Sequence, residues 1–220
     1  MNRPLRALAA ALSVLLAGAA QAQVQITEYM YNGADGTGEY IEFTNLGSTA
    51  LNFAGWSFDD SSRTPGSVSL SGFGIVAAGQ SVILTEASAS AFRAAWGLSA
   101  TVAVVGDNSN NLGRSDEINL YDASGTLVDR LTYGDQSFAG TVRAQNVSAN
   151  PGTLAALQPQ AIGTAWVASA AGDLYGSHAS TLGDIGNPGV FALAPVPEPA
   201  SLALLLAGLG IVGVAARRRA

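Results

Sequence analysis

The chain has 220 residues, no cysteine, 26 glycines and a formal net charge of −6. Without cysteine, disulfides, thiol catalysis and cysteine-ligated zinc are excluded, so the core alone must hold the fold. Residues 23–196 carry 15 acidic side chains against 5 arginines and no lysine, a net charge of −10 that repels phosphate backbones. Apolar residues make up 48% of the chain, which favours one turn-rich all-β domain over disorder.

Residues 1–22 are typical of a secretory signal peptide. Two arginines precede an apolar run over 7–19, which is too short to span a membrane. Ala20 and Ala22 form the small-x-small pattern of a cleavage site. We therefore expect signal peptidase to cut before Gln23, so that the rest of the chain is exported.

Two segments with alternating polarity follow, and both predict β-strands. Residues 24–31 and 39–45 alternate at period two and are rich in β-branched and aromatic side chains. A turn cluster at 32–38 separates them. Further along, Trp56 is expected to be the central core ring of one sheet.

Later segments predict more strands at the spacing of a β-sandwich, together with one short helix. The helix is predicted over 88–97, because Ser88 is a favourable N-cap, Phe92 and Trp96 lie one turn apart, and Gly97 can end it. The predicted strands are 68–70, 80–85, 101–105, 117–121 and 126–133, with irregular candidates at 141–147 and 162–168.

One position disturbs the pattern of the last regular strand. Residues 122–125 form a turn, and in the arm after it Asp129 shares a face with Leu131 and Tyr133. This placement predicts either a β-bulge or a buried hydrogen bond at Asp129.

The segments Ile26–Asn32, Gly38–Ser48, Ala77–Leu84, Asp116–Gly125 and Val128–Asp135 occur in this order. As an ordered set they resemble the lamin-tail domain of bacterial exported proteins. The resemblance covers about residues 24–135, with a weaker echo at Trp166 and at 186–189. It implies an immunoglobulin-like β-sandwich that usually serves in binding or assembly and has no established catalytic residues. The set also includes Leu51, Gly55-Trp56 and Asp59.

The C-terminal residues consist of Pro197-Glu198-Pro199, an uncharged run over 200–216 and a short basic terminus. In this order they resemble the PEP-CTERM sorting signal of exported proteins in Gram-negative bacteria. The uncharged run would cover about 25 Å as a helix, the lower edge of a bilayer core. The resemblance implies recognition by a membrane-bound exosortase that cuts near the Pro-Glu-Pro motif and removes this transmembrane helix; a permanent single-span anchor is the alternative. The motif residues are Pro197, Glu198 and Pro199, and the basic residues that would stay cytoplasmic are Arg217, Arg218 and Arg219.

The predicted organisation is thus a signal peptide at 1–22, a sandwich domain at 23–194 and a sorting segment at 195–220. Acidic residues are in excess, and oxygen clusters hold Ca²⁺ in extracellular modules. Glu28, Glu39 and Glu42 lie on neighbouring strands and could meet at one edge as such a site. A solvated strand face is the preferred interpretation of all three.

The loop at 107–113 resembles a Ca²⁺ loop, with oxygen-bearing side chains at its first, third and fifth positions. It departs from the pattern at the sixth position, where Leu112 replaces glycine. It departs again at the twelfth, where Ile118 replaces a bidentate glutamate. A polar turn without metal is therefore preferred, and no cofactor is expected.

Catalysis finds little support in the sequence. His178 is the one histidine, and a serine nucleophile needs both a base and an orienting acid in fixed geometry. We expect a non-enzymatic binding or structural module of the cell surface or extracellular matrix, with a protein or polysaccharide ligand. An envelope hydrolase acting on polysaccharide or phosphoester is the alternative, and a Ca²⁺-stabilised adhesin is a third.

Nucleic acid is not an expected partner. The arginines of the acidic domain are scattered singly along the chain and form no basic run. They are Arg63, Arg93, Arg114, Arg130 and Arg143.

Overall fold

The computed structural model describes residues 24–192. The predicted signal peptide and the predicted transmembrane helix over 200–216 lie outside this range. Within it, no helix has both the length and the apolar character needed to cross a bilayer.

The described domain consists of 15 strands, one α-helix and three short 3₁₀ helices. The strands are β1 Val24–Met30, β2 Tyr40–Asn45, β3 Leu51–Asn52, β4 Ser57–Asp59, β5 Val68–Ser69, β6 Ile75–Val76, β7 Ser81–Thr85, β8 Ala103–Val105, β9 Asp116–Tyr121, β10 Leu127–Tyr133, β11 Ala149–Pro151, β12 Ala161–Ile162, β13 Trp166–Ala168, β14 His178–Ala179 and β15 Ile185–Gly186. The helix α1 is Ala89–Trp96, and the 3₁₀ helices are Ser71–Phe73, Leu154–Leu157 and Gly163–Ala165.

Most strands belong to two sheets. The six-stranded sheet has the order β13-β11-β1-β2-β7-β8, and the five-stranded sheet has the order β12-β10-β9-β4-β5. Their pairings are antiparallel except at one edge of each sheet, where β8 and β12 join in parallel. This arrangement confirms the predicted all-β, immunoglobulin-like sandwich.

The main core lies between the two sheets. Because side chains alternate along a strand, Ile41 and Phe43 of β2 point inward, and they meet Ile118 and Leu120 of β9 in the same buried cluster. Trp56 belongs to this cluster and packs on Phe53 with 4.9 Å between ring centroids, so its predicted core position is confirmed.

The helix covers one end of the outer face of the six-stranded sheet. Phe92 and Trp96 pack there on Met30, Tyr40 and Ile83 to form a second buried cluster. The predicted helix ends are also confirmed. The Ser88 hydroxyl accepts a hydrogen bond from the Ala91 amide at 3.3 Å, and Gly97 adopts the left-handed conformation with φ of 63°.

At Asp129 the structure contains both of the predicted features. One extra residue in β10 shifts the register between Leu127 and Asp129, which is a β-bulge. The Asp129 carboxylate is buried and accepts a hydrogen bond from the Ile26 amide of the opposite sheet at 2.9 Å. Burial raises the pKa of Asp129 to about 6, although backbone hydrogen bonds oppose the shift.

The predicted strand at 141–147 is wrong. That stretch makes only isolated bridges, at Gln145 and Val147, and the nearby strand is β11, which the sequence did not predict. Strand β11 has no clear alternation because its polar Asn150 is buried and hydrogen-bonded to Ser169 at 2.8 Å. The candidate at 162–168 is divided into β12, a 3₁₀ turn and β13. Through β11 and β13, the chain beyond residue 135 becomes part of the six-stranded sheet.

Candidate functional site

The other end of the same outer face is polar and is covered by residues 184–189, here called the closing segment. Three carboxylates hold this segment to the sheet and the adjoining loop. They are Glu28, Glu42 and Asp184, each with at most 1% of its surface exposed. Buried carboxylates are rare in proteins unless hydrogen bonds or charges compensate for lost water, so their partners decide what this site does.

Glu28 reaches the outer face because β1 contains a bulge. Thr27 is the extra residue there, so that Ile26 and Tyr29 remain in the core while Glu28 points outward. Its Oε1 atom accepts hydrogen bonds from three donors: the Tyr40 hydroxyl at 2.7 Å, the Asn187 amide at 2.8 Å and the Ser148 hydroxyl. Its Oε2 atom is fully buried and has no hydrogen-bond partner.

Glu42 lies directly opposite Glu28 in the register of β1 and β2. Its Oε1 atom accepts from the Thr27 hydroxyl at 2.6 Å, and its Oε2 atom accepts from the Gly189 amide at 2.8 Å. Both oxygens of Glu42 therefore have donors, whereas only one oxygen of Glu28 does.

The two carboxyls perturb each other. Burial, followed by the charge of Glu42, raises the pKa of Glu28 to about 8. Burial also raises the pKa of Glu42, although its hydrogen bonds oppose the shift. Burial and the neighbouring Glu28 hold the pKa of Tyr40 well above its ordinary value, so its phenol stays a donor.

Asp184 holds the start of the closing segment. Its carboxylate accepts from the Ala34 amide and the Asn146 side-chain amide, both at 2.9 Å, and from the Thr37 hydroxyl. The segment is thereby tied to the loop between β1 and β2 as well as to the strands.

Gly186 is required by the close approach of the segment to the sheet. A Cβ atom at this position would lie 2.4 Å from the Tyr40 hydroxyl and 3.0 Å from Glu28 Oε1. Real Cβ atoms do not approach other atoms so closely, and here the neighbours are themselves fixed by packing and hydrogen bonds. Any side chain at 186 therefore pushes the closing segment away from the two carboxyls.

Glu39 belongs to a different site from Glu28 and Glu42. It accepts from the Asn108 side-chain amide at 3.2 Å and from the Leu112 amide, and so holds the 107–113 loop. Burial raises the pKa of Glu39 to about 8.

The preferred interpretation of the three glutamates as a solvated face is therefore wrong, since each is at least 97% buried. Alternation in β2 placed Glu42 on the face opposite Ile41 and Phe43, but no local pattern indicated that another segment covers that face. Among residues 24–192, no group of three or more histidine, cysteine or acidic side chains is arranged to hold a metal ion. The 107–113 loop is instead bound to the domain through Asn108 and Leu112.

His178 is exposed on β14, and its ring contacts the Trp96 ring edge-on with 5.7 Å between centroids. Within the described range its imidazole has no side-chain hydrogen bond to a serine or an acid.

A cleft near Asp129 and Trp166 has a volume of about 170 Å³, including open solvent. This volume is smaller than the roughly 300–1,000 Å³ that is typical of ligand pockets.

Each of the five arginines of residues 24–192 binds a group outside the Glu28–Glu42 pair. Arg63 pairs with Glu117, Arg93 donates to the carbonyls of Ser99 and Val102, Arg114 pairs with Asp135, Arg130 donates to Asn119, and Arg143 donates to Gln145. The carboxyl pair is therefore without a cation partner in the described part of the chain.

The sequence-predicted processing residues cannot be placed in this geometry. They lie outside residues 24–192. They are the cleavage positions Ala20, Ala22 and Gln23, and the sorting residues Pro197, Glu198, Pro199, Arg217, Arg218 and Arg219.

Some residues of the site were not predicted from the sequence. They are Asp184, Ser148 and the amides of Asn187 and Gly189. Their one signal was the motif at 186–189, where glycines permit a close approach.

Comparison with known proteins gives two matches. The family model of the Lamin Tail Domain matches residues 17–135, more than half of the chain. The model of the PEP-CTERM protein-sorting motif matches residues 195–219. No curated protein matches the chain.

Proposed function

Since this chain belongs to the lamin-tail-domain family, we propose that it serves as a non-enzymatic binding or structural module at the cell surface or in the extracellular matrix. Its PEP-CTERM signal marks an exported protein that is sorted through the membrane to the cell surface. An exosortase, which is a membrane protease, recognises signals of this kind. Signal peptidase, acting before Gln23, is the second processing partner in this proposal.

The observation that carries the proposal is that the three glutamates on neighbouring strands point into the protein and not into an open cleft. Glu28, Glu39 and Glu42 are buried and engaged in hydrogen bonds that hold the domain together. A hydrolase needs such groups at a cavity that admits substrate. In this domain the carboxyls support the fold, which suits a module that acts through its surface.

The aromatic side chains favour a protein partner over a polysaccharide. Every tryptophan and tyrosine in residues 24–192 is buried, and Phe138 and Phe191 are half-buried. Aromatic rings offer apolar faces for contact, and none in the described range forms an open platform on which a sugar ring could stack. The outer surface instead presents scattered apolar residues such as Ile75 and Leu174, 72% and 70% exposed.

The test of processing is mass spectrometry of the protein recovered from culture fluid and from membranes. We expect a soluble form that begins at Gln23 and ends near Pro197. Replacing Pro197 and Pro199 with alanine should leave the protein in the membrane fraction with Arg219 intact. Pro65→Ala, a substitution of an exposed proline outside the sorting match at 195–219, is the control and should be processed normally.

Two results would contradict the proposal. If the wild-type protein keeps Arg219 and stays in the membrane, the tail is a permanent anchor. If the purified protein turns over a polysaccharide or a phosphoester and His178→Ala abolishes that turnover, it is an enzyme. The binding role is tested by cross-linking the protein on intact cells, and we expect cross-links to surface proteins.

A further inference from the structure

The hydrogen bonds of the carboxyl pair are unequal, and this inequality indicates where a proton resides. An ionised carboxylate carries its charge on both oxygens, and each of them needs a donor when buried. Glu42 has donors on both oxygens, but Glu28 has three donors on Oε1 and none on Oε2. Leaving a neutral hydroxyl without a partner costs far less than leaving a bare anionic oxygen.

Among residues 24–192, no positive charge compensates a second negative charge on the carboxyl pair. The side-chain donors to the pair are hydroxyls, from Thr27 of β1, from Tyr40 and Thr44 of β2 and from Ser148 just before β11. The donors from the closing segment are backbone amides. The titratable groups that face the pair are the carboxyls themselves and the Tyr40 phenol. On the helix side, the Arg93 guanidinium donates to the carbonyls of Ser99 and Val102, and His178 contacts Trp96. Two carboxyls in such a setting cannot both ionise without a large cost.

We propose that the pair of Glu28 and Glu42 carries a single proton, which is bound to Glu28 Oε2, and that loss of this proton releases residues 187–189 from the sheet. When both carboxyls are ionised, either water must enter the site or the closing segment must move away from the two carboxyls. Strands β1 and β2 are joined by six residue pairs, whereas residues 187–189 belong to no strand. Residues 187–189 are thus the part of the closing segment that opens.

The test is hydrogen exchange of the full-length protein in detergent, followed by mass spectrometry from pH 6 to pH 9.5. After correction for base catalysis of exchange, we expect protection of peptides over 184–192 to fall at least about tenfold across this range. Glu28→Gln places a permanently neutral group at the site and should reduce the change to less than about twofold. Asp35→Asn removes an exposed carboxyl that has no role in the site, and should behave as wild type.

An unchanged pH profile in Glu28→Gln would overturn the proposal, as would constant protection in the wild type. A second measurement needs no substitution, in case the variant does not fold. In protein labelled with ¹³C at glutamate carboxyls, the Glu28 and Glu39 carboxyls should both remain protonated at pH 6 and lose their protons around pH 8. Contact with the Tyr40 ring identifies the Glu28 signal. If the Glu28 carboxyl is ionised at pH 6, the pair holds no proton there and the proposal is wrong. Because neither measurement involves cleavage, failure of the processing proposal would leave these results interpretable.

Discussion

The outer face of the six-stranded sheet is closed in two different ways at its two ends. At one end, helix α1 places Phe92 and Trp96 on Met30, Tyr40 and Ile83 in apolar contact. At the other end, the closing segment is held by hydrogen bonds to Glu28 and Glu42. The stability of an apolar contact depends on the buried area and on packing, and it does not change with pH. The stability of a hydrogen-bonded contact depends on each donor, each acceptor and the protonation state of the carboxyls. The same surface therefore has one permanently closed end and one end that can respond to conditions.

The largest expected effect is at the apolar end. Phe92→Ala removes a fully buried ring from between Tyr40 and Trp96, and should lower the free energy of unfolding by about 3–5 kcal/mol. Denaturant unfolding at pH 6 and pH 8 measures it. The loss should be equal at the two pH values, and a loss that depends on pH would contradict a purely apolar cover.

The next effect is at the polar end. Gly186→Ala forces the closing segment off the sheet, because the new Cβ would overlap the Tyr40 hydroxyl, and should cost about 1–3 kcal/mol. Gly163→Ala is the matched control, since its Cβ would meet Leu131 at an ordinary 3.5 Å and its φ is not in the left-handed region. Thermal unfolding compares the two variants. Equal losses would show that the close approach at 186 is not limiting.

A third effect is the dependence of stability on pH. Glu28 and Glu39 have folded-state pKa values of about 8, well above the ordinary 4.5, so between these values the folded protein binds more protons than the unfolded one. The free energy of unfolding should therefore fall as pH rises from about 5 to 8 and then level off. Asp129, with a pKa of about 6, contributes in the same direction over the lower part of this range.

Glu28→Gln sharpens this prediction. Because glutamine needs no proton, the variant should be more stable than wild type at pH 8 and should show a flatter profile. Urea unfolding at intervals of half a pH unit measures both features. A variant less stable than wild type at pH 8 would mean that the ionised carboxyl is the favourable form.

The smallest effect is again at the helix. Ser88→Ala removes the acceptor for the Ala91 amide and should cost about 1 kcal/mol, independent of pH. Ser109→Ala, at an exposed serine outside the helix, should change the free energy of unfolding by less than about 0.5 kcal/mol. If the two substitutions have equal effects, the cap at Ser88 does not stabilise the helix.

Local patterns were sufficient for the parts of the fold that depend on near neighbours. The alternation in β2, the Ser88 and Gly97 ends of α1, and the irregularity at Asp129 could all be read from residues close in sequence. The strand at 149–151 could not, because it is made by pairing with β1 and β13, and its buried Asn150 breaks the apolar pattern.

The sequence by itself determined that this is an all-β domain with one capped helix, followed by a sorting signal for export, because strand periodicity, helix ends and sorting motifs are each contained in short runs of residues. Only the tertiary structure decided that Glu28 and Glu42 are buried. A strand pattern states which side of a sheet a side chain faces, but the segment that covers it comes from some 150 residues further along the chain. Whether a carboxyl meets water, a cation or a backbone amide depends on that distant contact, and so do its pKa and its role.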